Sequence, residues 1–403
     1  MNVSNLTARF FAFFFVFFSC FVSAVWGREN LSEVVAFSEM LRNPEPCYID
    51  RRDALKWEYT GGLEMGAMLD VYEAYGDERF REYASLYVDS FVMADGSIRS
   101  YRLTDYNLDR INPGKVLFRF YEMTGETRFR KALDLLRSQL CGHPRNEDGG
   151  FWHKKVYPHQ VWLDGVYMAT PFLAEYTARF ERENKEAFAD VVGQILMAAR
   201  HNFDARTGLF RHACDVSRQM GWADSVTGQS QHCWGRALGW YMMAIVDALP
   251  FIPADIEGRD SVLAVLATVA KGVERYRDRA TGLWFQVMDC PGREGNYLES
   301  SCSAMFVYSL LKAVRLGYLP KRYGRMARES YRSFLRQFVY YEDTVPADGQ
   351  PFRMIGIGSC CAVAGLSDSR PGTFEYYVGE LRRDNDPKVI GPFLKAALEM
   401  ERR

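Results

Sequence analysis

The sequence predicts an all-α fold in which helix pairs follow one another around a closed ring, with short β turns along one rim. Ten segments have apolar residues three or four positions apart, which is typical of amphipathic helices. A glycine-centred turn recurs about every 60–75 residues, and an apolar helix follows each copy, as in a multi-helix repeat. The terminal helices look as apolar as the others, whereas an open solenoid would need polar caps.

The predicted helices have recognisable ends. Asp77 precedes the second segment, Gly125 follows the third at Thr124, and Pro250 follows the seventh at Leu249, all of them residues that commonly stop or start helices. In chain order the segments are 61–75, 78–94, 114–124, 127–140, 162–180, 185–202, 234–249, 261–277, 301–314 and 322–338.

Three glycine turns punctuate this pattern, at 148–152, 207–210 and 281–284. Alternating apolar and polar residues at 209–214 and 283–288 predict short strands within two of them. Equivalent loops of a repeat protein lie on one rim, so we expect the functional site where these loops differ in their side chains.

Composition narrows the classes of protein. The 403 residues contain no linker rich in Pro, Ser or Gly, which predicts a single domain over residues 25–403. With 50 basic and 51 acidic residues and no basic cluster, a nucleic-acid partner is not expected. Aromatic residues make up 15% of the chain and many lie in the turns, where aromatic rings commonly stack on sugars or other planar ligands.

The first 24 residues have the order of a secretory signal. Arg9 precedes the apolar run 10–22, and small residues follow as far as Ala24, which predicts cleavage there and export to the periplasm or the medium. A lipoprotein anchor at Cys20 is the alternative, although the usual aliphatic residue before it is absent. Eight cysteines remain, without a disulfide-like spacing, and buried free thiols are favoured for most of them.

Asp164 lies in the apolar and aromatic segment 159–168, at the start of a predicted helix. A carboxylic acid that is desolvated there can stay protonated near neutral pH, as a general acid must. The alternative is that Asp164 caps free backbone N–H groups of the helix, and the segment alone favours this structural role.

Asp109 lies in a turn that opens the next predicted helix, at 114, and turn formation is again its simplest role. Two carboxylates in equivalent rim turns of neighbouring repeats can also act together on one bound ligand. Asp109 and Asp164 together are candidates for the paired acids of a glycosidase.

Further polar and aromatic residues fall on the same rim. Arg236 and Trp240 are four residues apart on one helical face and could clamp a carboxylated sugar, with His212 and Trp234 nearby; packing of Arg on Trp is the alternative.

His153 and Lys154 follow the first glycine turn and add two cations, unless they form a solvated strand edge. No Cys or His spacing matches a metal site, since His153 and His159 lack a third ligand at helical spacing. The run 356–361 lacks the third glycine of a dinucleotide loop. No metal and no cofactor are therefore expected.

With these segments assembled, the chain resembles glycoside hydrolase family 105, the unsaturated rhamnogalacturonyl hydrolases, which are related to the unsaturated glucuronyl hydrolases of family 88. The similarity extends from about Trp57 to Lys388, and the motifs 159–165 and 234–236 are its specific part. The resemblance implies an (α/α)6 barrel, in agreement with the ring of helix pairs.

The resemblance also implies the chemistry. The substrate would be a Δ4,5-unsaturated uronic acid at the non-reducing end of a lyase product, most simply unsaturated galacturonyl-rhamnose from the rhamnogalacturonan of pectin. Asp164 would protonate C4 of the vinyl ether and then activate the water that adds at C5. Asp109 would orient substrate and water. The matching pocket positions are Tyr59, His153, Lys154, His212, Trp234, Arg236 and Trp240.

Three alternatives remain open at the level of sequence. The first is an unsaturated glucuronyl hydrolase acting on ulvan- or glycosaminoglycan-type disaccharides. The second is a conventional glycosidase acting on saturated sugars. The third is a sugar-binding protein with an inactive site, against which the presence of both Asp109 and Asp164 argues.

Overall fold

The computed structural model describes residues 30–346 and 349–402, and the predicted signal segment with Cys20 lies outside them. This part of the chain contains thirteen α-helices. They are α1 (Leu31–Arg42), α2 (Tyr59–Tyr75), α3 (Glu78–Phe91), α4 (Gly114–Thr124), α5 (Thr127–Gly142), α6 (Leu163–Phe180), α7 (Lys185–Asn202), α8 (Gly235–Ala248), α9 (Arg259–Arg275), α10 (Ser300–Arg315), α11 (Lys321–Phe338), α12 (Phe374–Gly379) and α13 (Pro387–Glu401).

The helices form two concentric layers. In the inner layer α2, α4, α6, α8, α10 and α13 each contact the next, and α13 packs back on α2, which closes the ring. In the outer layer α3, α5, α7, α9 and α11 each pack beside the inner helix that they follow, and α1 packs on α13. The fold is therefore an (α/α)6 barrel, and the predicted ring of helix pairs is confirmed.

Side-chain patterns explain which helices lie inside. Inner helix α8 buries every residue except Asp247, because other helices surround it. Outer helix α11 has eight charged or polar side chains exposed to solvent around one apolar stripe, which includes Tyr323 and Phe334. At the start of α3, Asp77 Oδ1 accepts a hydrogen bond from Arg79 N at 3.0 Å. At the end of α4, Gly125 has a φ of 69°, a left-handed conformation that glycine adopts without strain.

All ten predicted helices are present, with ends that differ by up to three residues. Helices α1, α12 and α13 were not predicted. Helix α13 begins with Pro387, and Gly391 and Pro392 lie inside it. Glycine and proline inside a segment normally indicate the end of a helix. Gly391 is needed because a Cβ there would lie 2.8 Å from the Leu63 side chain on α2.

Short antiparallel ladders lie in the connections. Strand β1 (Gln160–Trp162) pairs with β4 (Ala213–Asp215), β2 (Phe203–Asp204) with β3 (Leu209–Phe210), β5 (Val339–Thr344) with β6 (Phe352–Ile357), and β7 (Cys360–Cys361) with β8 (Arg382–Arg383). The run predicted at 209–214 is thus divided into β3 and β4.

The strand predicted at 283–288 is wrong, because its backbone groups bond singly to several loops instead of to one partner strand. Gly235 N donates to Gln286 O at 2.9 Å, and Met288 N donates to Cys233 O at 3.0 Å. These bonds attach the segment to the residues that lead into α8.

All eight cysteines among the described residues are free, as expected for most of them from their spacing. Five are buried: Cys214, Cys233, Cys302, Cys360 and Cys361. In residues 30–346 and 349–402, no helix combines the length and apolar character needed to cross a membrane.

Candidate active site

The loops that precede the inner helices meet at one end of the ring. Asn107, before α4, bridges to Lys154, before α6, and Trp234, before α8, bridges to Val287, before α10. The inner helices therefore begin at the same rim. Residues in their first turns, Asp164 and Arg236 among them, therefore lie at this rim.

Asp164 is the second residue of α6, and its carboxylate is nine-tenths buried. Its Oδ2 atom is buried without a hydrogen-bond partner, so this oxygen does not cap the helix. The nearest basic group is His212, whose Nε2 lies 3.3 Å from Oδ2. The Asp164 side chain keeps 13% of its surface exposed.

The β1–β4 ladder brings these two residues together. Its register pairs Trp162 with Ala213, so Asp164 follows one strand and His212 precedes the other. Leu163 N also donates to His212 O at 3.2 Å. Backbone pairing, rather than the two side chains themselves, fixes their separation.

His212 is completely buried and is held on three sides. Its Nδ1 lies 2.7 Å from the hydroxyl of Tyr377, the last but two residue of α12. Its ring contacts those of Trp162 and Trp234, with centroids 5.1 and 4.8 Å away. The imidazole therefore has one orientation, with Nε2 facing Asp164.

Asp109 is also buried, and Lys154 forms an ion pair with it at 2.5 Å from Nζ to Oδ2. Burial acts to lower the pKa of Lys154, but the charge and the hydrogen bond of Asp109, with the Glu58 charge, together outweigh it and hold the pKa above its usual value. His153 Nε2 lies 3.7 Å from the other Asp109 oxygen. Neither basic residue is a solvated strand edge.

His153 connects the two acidic positions. Its ring stacks on Trp162 at 4.7 Å, and burial, together with the neighbouring Lys154 charge, lowers its pKa well below 6.5. A Cβ at Gly165 would lie 2.8 Å from His153 Nδ1, so only glycine lets α6 approach this ring so closely. Asp109, His153 and Asp164 consequently share one packed wall.

Arg236 lies in the first turn of α8 and is buried, with its guanidinium 4.5 Å from the centroid of Trp234. Nη1 donates to the carbonyl oxygen of Cys361, while Nε is buried without a partner. The predicted clamp with Trp240 is not formed, because the guanidinium turns back over Trp234.

Trp240 instead stacks on Tyr167 at 4.8 Å and meets the edge of Tyr59 at 6.0 Å. Trp240 is almost fully buried, whereas Tyr59 is partly exposed at the start of α2. A ligand can thus stack on the partly exposed ring of Tyr59, which packs against the buried ring of Trp240.

Two residues of this site were not singled out from sequence. Tyr377 belongs to a short helix whose Thr373 cap is recognisable, but nothing local indicates that its hydroxyl reaches His212. Glu299 looks like an ordinary N-cap of α10, since its side chain accepts from Cys302 N at 2.7 Å. It also accepts from Cys361 N at 2.9 Å and so fixes the carbonyl that holds Arg236.

Comparison with known proteins gives a consistent result. Residues 31–403 match the model of Glycosyl Hydrolase Family 88. A solved glycoside hydrolase of family 105 from C. acetobutylicum ATCC 824 is 38% identical to this chain. Its TM-score is 0.86, and the match covers 93% of this chain and 99% of that one.

Two further relatives differ in what they act on. Unsaturated rhamnogalacturonyl hydrolase YesR of Bacillus subtilis is 26% identical over 304 residues, which are 74% of this chain and 79% of YesR. An unsaturated glucuronyl hydrolase of Bacillus sp. GL1, responsible for degradation of glycosaminoglycan, is 16% identical with a TM-score of 0.64, over 92% of this chain and 96% of that one. The second likeness concerns the fold alone.

Proposed function

The chain belongs to glycosyl hydrolase family 88 and is a glycosidase of the family 88 and 105 type, and we propose that it removes a Δ4,5-unsaturated uronic acid from the non-reducing end of lyase-generated oligosaccharides. One observation carries the proposal: the Asp164 carboxyl group at this rim is largely buried, and its Oδ2 atom has no hydrogen-bond partner and lies 3.3 Å from His212 Nε2. A group placed in this way can both give and take a proton at a bound substrate.

The reaction proceeds by hydration of the vinyl ether. Asp164 transfers its proton to C4, and the positive charge that develops is shared by C5 and the ring oxygen. Water then adds at C5 while the Asp164 carboxylate takes a proton from it, which restores the acid. The hemiketal collapses with opening of the ring, and the neighbouring sugar leaves as an alcohol. No displacement at the anomeric carbon is needed.

The other residues position this step. Asp109, held by Lys154, presents a carboxylate that can orient a substrate hydroxyl and the water. His212 holds the Asp164 carboxyl group in place, and Tyr59 supplies a partly exposed ring on which a sugar can stack. Arg236 is almost fully buried and packs on Trp234, so its guanidinium supports the rim from within.

For the sugar next to the uronate we propose rhamnose, so the substrate is unsaturated galacturonyl-rhamnose from pectin. The similarity to YesR and to a family 105 structure supports this choice. The basic pair His153 and Lys154 adds little to it, because His153 is buried and Lys154 is already paired with Asp109. An unsaturated glucuronyl disaccharide is the second candidate.

The test follows the ultraviolet absorbance of the conjugated unsaturated uronate after purified protein is added to lyase-generated rhamnogalacturonan disaccharide. We expect loss of absorbance with the wild type and at least a 1000-fold slower loss with Asp164→Asn. Loss only with an unsaturated glucuronyl disaccharide would keep the mechanism and change the substrate. Release of sugar from a saturated disaccharide at an equal rate would refute the vinyl ether mechanism.

We further propose that residues 1–24 direct export and are removed. Fractionation of cells that produce the full chain, followed by N-terminal sequencing, tests this. A cytoplasmic protein that retains Arg9 would contradict it.

A further inference from the structure

A second cluster of reactive side chains lies behind the catalytic rim. His232 stands just before α8, and Asp289 and Cys290 stand in the connection between α9 and α10. One donor atom from each, the imidazole Nδ1, a carboxylate oxygen and the thiol Sγ, lie within 4.8 Å of one another. All three residues are partly exposed, so an ion from solution can reach them.

The spacing of these atoms matches a tetrahedral ion. His232 Nδ1 lies 3.1 Å from Asp289 Oδ2 and 3.6 Å from Cys290 Sγ. Typical zinc–ligand distances and tetrahedral angles place nitrogen and oxygen about 3.3 Å apart, and nitrogen and sulfur about 3.6 Å apart. We propose that His232, Asp289 and Cys290 bind a zinc-type divalent ion, with water as the fourth ligand.

The donor set selects the class of metal. A thiolate and an imidazole favour zinc or cobalt over calcium or magnesium, which prefer oxygen ligands alone. Spacing along the sequence did not predict the site, because His232 and Asp289 belong to different connections. They meet only because residues 286–288 bond to the loop before α8.

The charges around the cluster permit a cation. Arg211 lies 3.2 Å from Asp289 Oδ2 and opposes a bound ion at that oxygen. However, Arg211 also pairs with Asp204, which offsets its charge. Arg206 lies 3.7 Å from Asp204, and Arg293 lies beside Cys290 and pairs with Glu375. Four negative charges, from Asp204, Asp289, Glu375 and a Cys290 thiolate, thus face three guanidinium groups.

The site is coupled to the hydrolase site by backbone. Asp289 Oδ1 accepts a hydrogen bond from Cys233 N at 2.9 Å, immediately before Trp234. His232 O accepts one from His212 N at 3.3 Å. A metal ion here would stabilise the loop that carries Trp234 and Arg236 without contacting the substrate.

The test is titration of tag-free, chelator-treated wild-type protein with Co²⁺. We expect one equivalent per chain, with a thiolate-to-cobalt absorption band in the near ultraviolet and visible bands typical of tetrahedral cobalt. In Cys290→Ser the thiolate band should vanish. In His232→Gln the affinity should fall at least 10-fold. Cys141→Ser, at an exposed cysteine on outer helix α5, is the matched control and should bind like the wild type.

Absence of the thiolate band in the wild type would overturn the proposal, and so would an unchanged band in Cys290→Ser. Circular dichroism confirms that each variant is folded, and a rise in melting temperature on addition of Zn²⁺, absent in Cys290→Ser, gives an independent readout. Because binding is measured without substrate, failure of this proposal is separate from failure of the proposed hydrolase activity.

Discussion

The Nε2 atom of His212 lies 3.3 Å from the Oδ2 atom of Asp164, and both atoms are buried without a hydrogen-bond partner. The opposite nitrogen of the same ring lies 2.7 Å from the Tyr377 hydroxyl. When that hydroxyl donates to Nδ1, the proton of the neutral imidazole is on Nε2 and faces the carboxylate. Tyr377 of α12 thus sets the orientation of the imidazole that stands beside the proposed acid.

Replacement of Tyr377 by Phe should therefore slow the reaction without unfolding the protein. The ring still packs beside His212, but the imidazole loses the bond that fixes its tautomer. We expect kcat to fall about 10-fold with little change in KM, which corresponds to about 1.4 kcal/mol. Steady-state kinetics on the unsaturated disaccharide measure both values.

The neighbouring Tyr376→Phe variant is the control. The Tyr376 hydroxyl accepts a hydrogen bond from Gly365 N and does not contact His212. Equal losses of kcat in Tyr376→Phe and Tyr377→Phe would show that the effect is one of packing and not of the imidazole.

Replacement of Lys154 by Met should destabilise the fold, because the buried Asp109 carboxylate would lose its cation. We expect the free energy of unfolding to fall by about 2 kcal/mol. Adding Asp109→Asn to Lys154→Met should restore at least half of that loss while the activity stays low. Urea unfolding of both single variants and the double variant gives the coupling free energy.

Lys155→Met provides the comparison, since Lys155 is exposed one residue further along. Its free energy of unfolding should match that of the wild type. If the double variant is no more stable than Lys154→Met, the ion pair does not explain the instability.

Replacement of Gly165 by Ala should reduce activity although alanine favours helices. A Cβ at this position would lie 2.8 Å from His153 Nδ1 and would displace the ring that packs between the two acids. We expect kcat/KM to fall at least 10-fold. Gly66→Ala in α2, where a Cβ meets nothing within 4 Å, should instead stabilise by about 0.5–1 kcal/mol and keep full activity. Thermal melting and kinetics on the two variants distinguish these effects.

The pH dependence of stability should depend on Glu64. This residue is completely buried on α2, neither carboxyl oxygen has a partner, and burial, with the nearby Glu39 charge, raises its pKa well above 4.5. The folded protein therefore holds a proton that the unfolded chain releases. The stabilisation that the protonated Glu64 side chain contributes is fully present below about pH 4.5. It is lost as the pH rises towards the pKa of Glu64 in the folded protein.

Glu64→Gln keeps the shape of the side chain without its titration. Above about pH 4.5 the free energy of unfolding of the wild type should fall more steeply with pH than that of Glu64→Gln, by up to about 1.4 kcal/mol per pH unit. Urea unfolding at several pH values measures the slope. Glu82→Gln, at an exposed position on α3, should behave like the wild type. Equal slopes in all three proteins would contradict the assignment.

Local signals explain what could be predicted from sequence. Gly125 after Thr124 and Asp77 before Glu78 act on the adjacent helix turn, so the boundaries of α3 and α4 follow from a few residues. The closing helix α13 was missed because Pro392 and Gly391 are ordinarily helix breakers, and their tolerance depends on packing against α2.

Parts of the site depend on contacts between distant segments. The i to i+4 spacing of Arg236 and Trp240 predicts a shared face, but Trp240 packs on Tyr167 of α6 while Arg236 bonds to Cys361. Neither partner is visible from the spacing. Conversely, the two candidate acids could be named because each stands at a helix start, where the first turns of inner helices converge.

The ring is closed by the two ends of the described chain. Glu401 of α13 accepts hydrogen bonds from Ser32 N of α1 at 3.0 Å and from the Tyr75 hydroxyl of α2 at 2.7 Å. Because α13 follows the other five inner helices along the chain, the sides of α2 and α10 that it covers have no partner until it is synthesised. Contacts between such distant residues form slowly, and chaperones commonly bind chains in this condition. The ring is thus completed only after its other five inner helices have been synthesised.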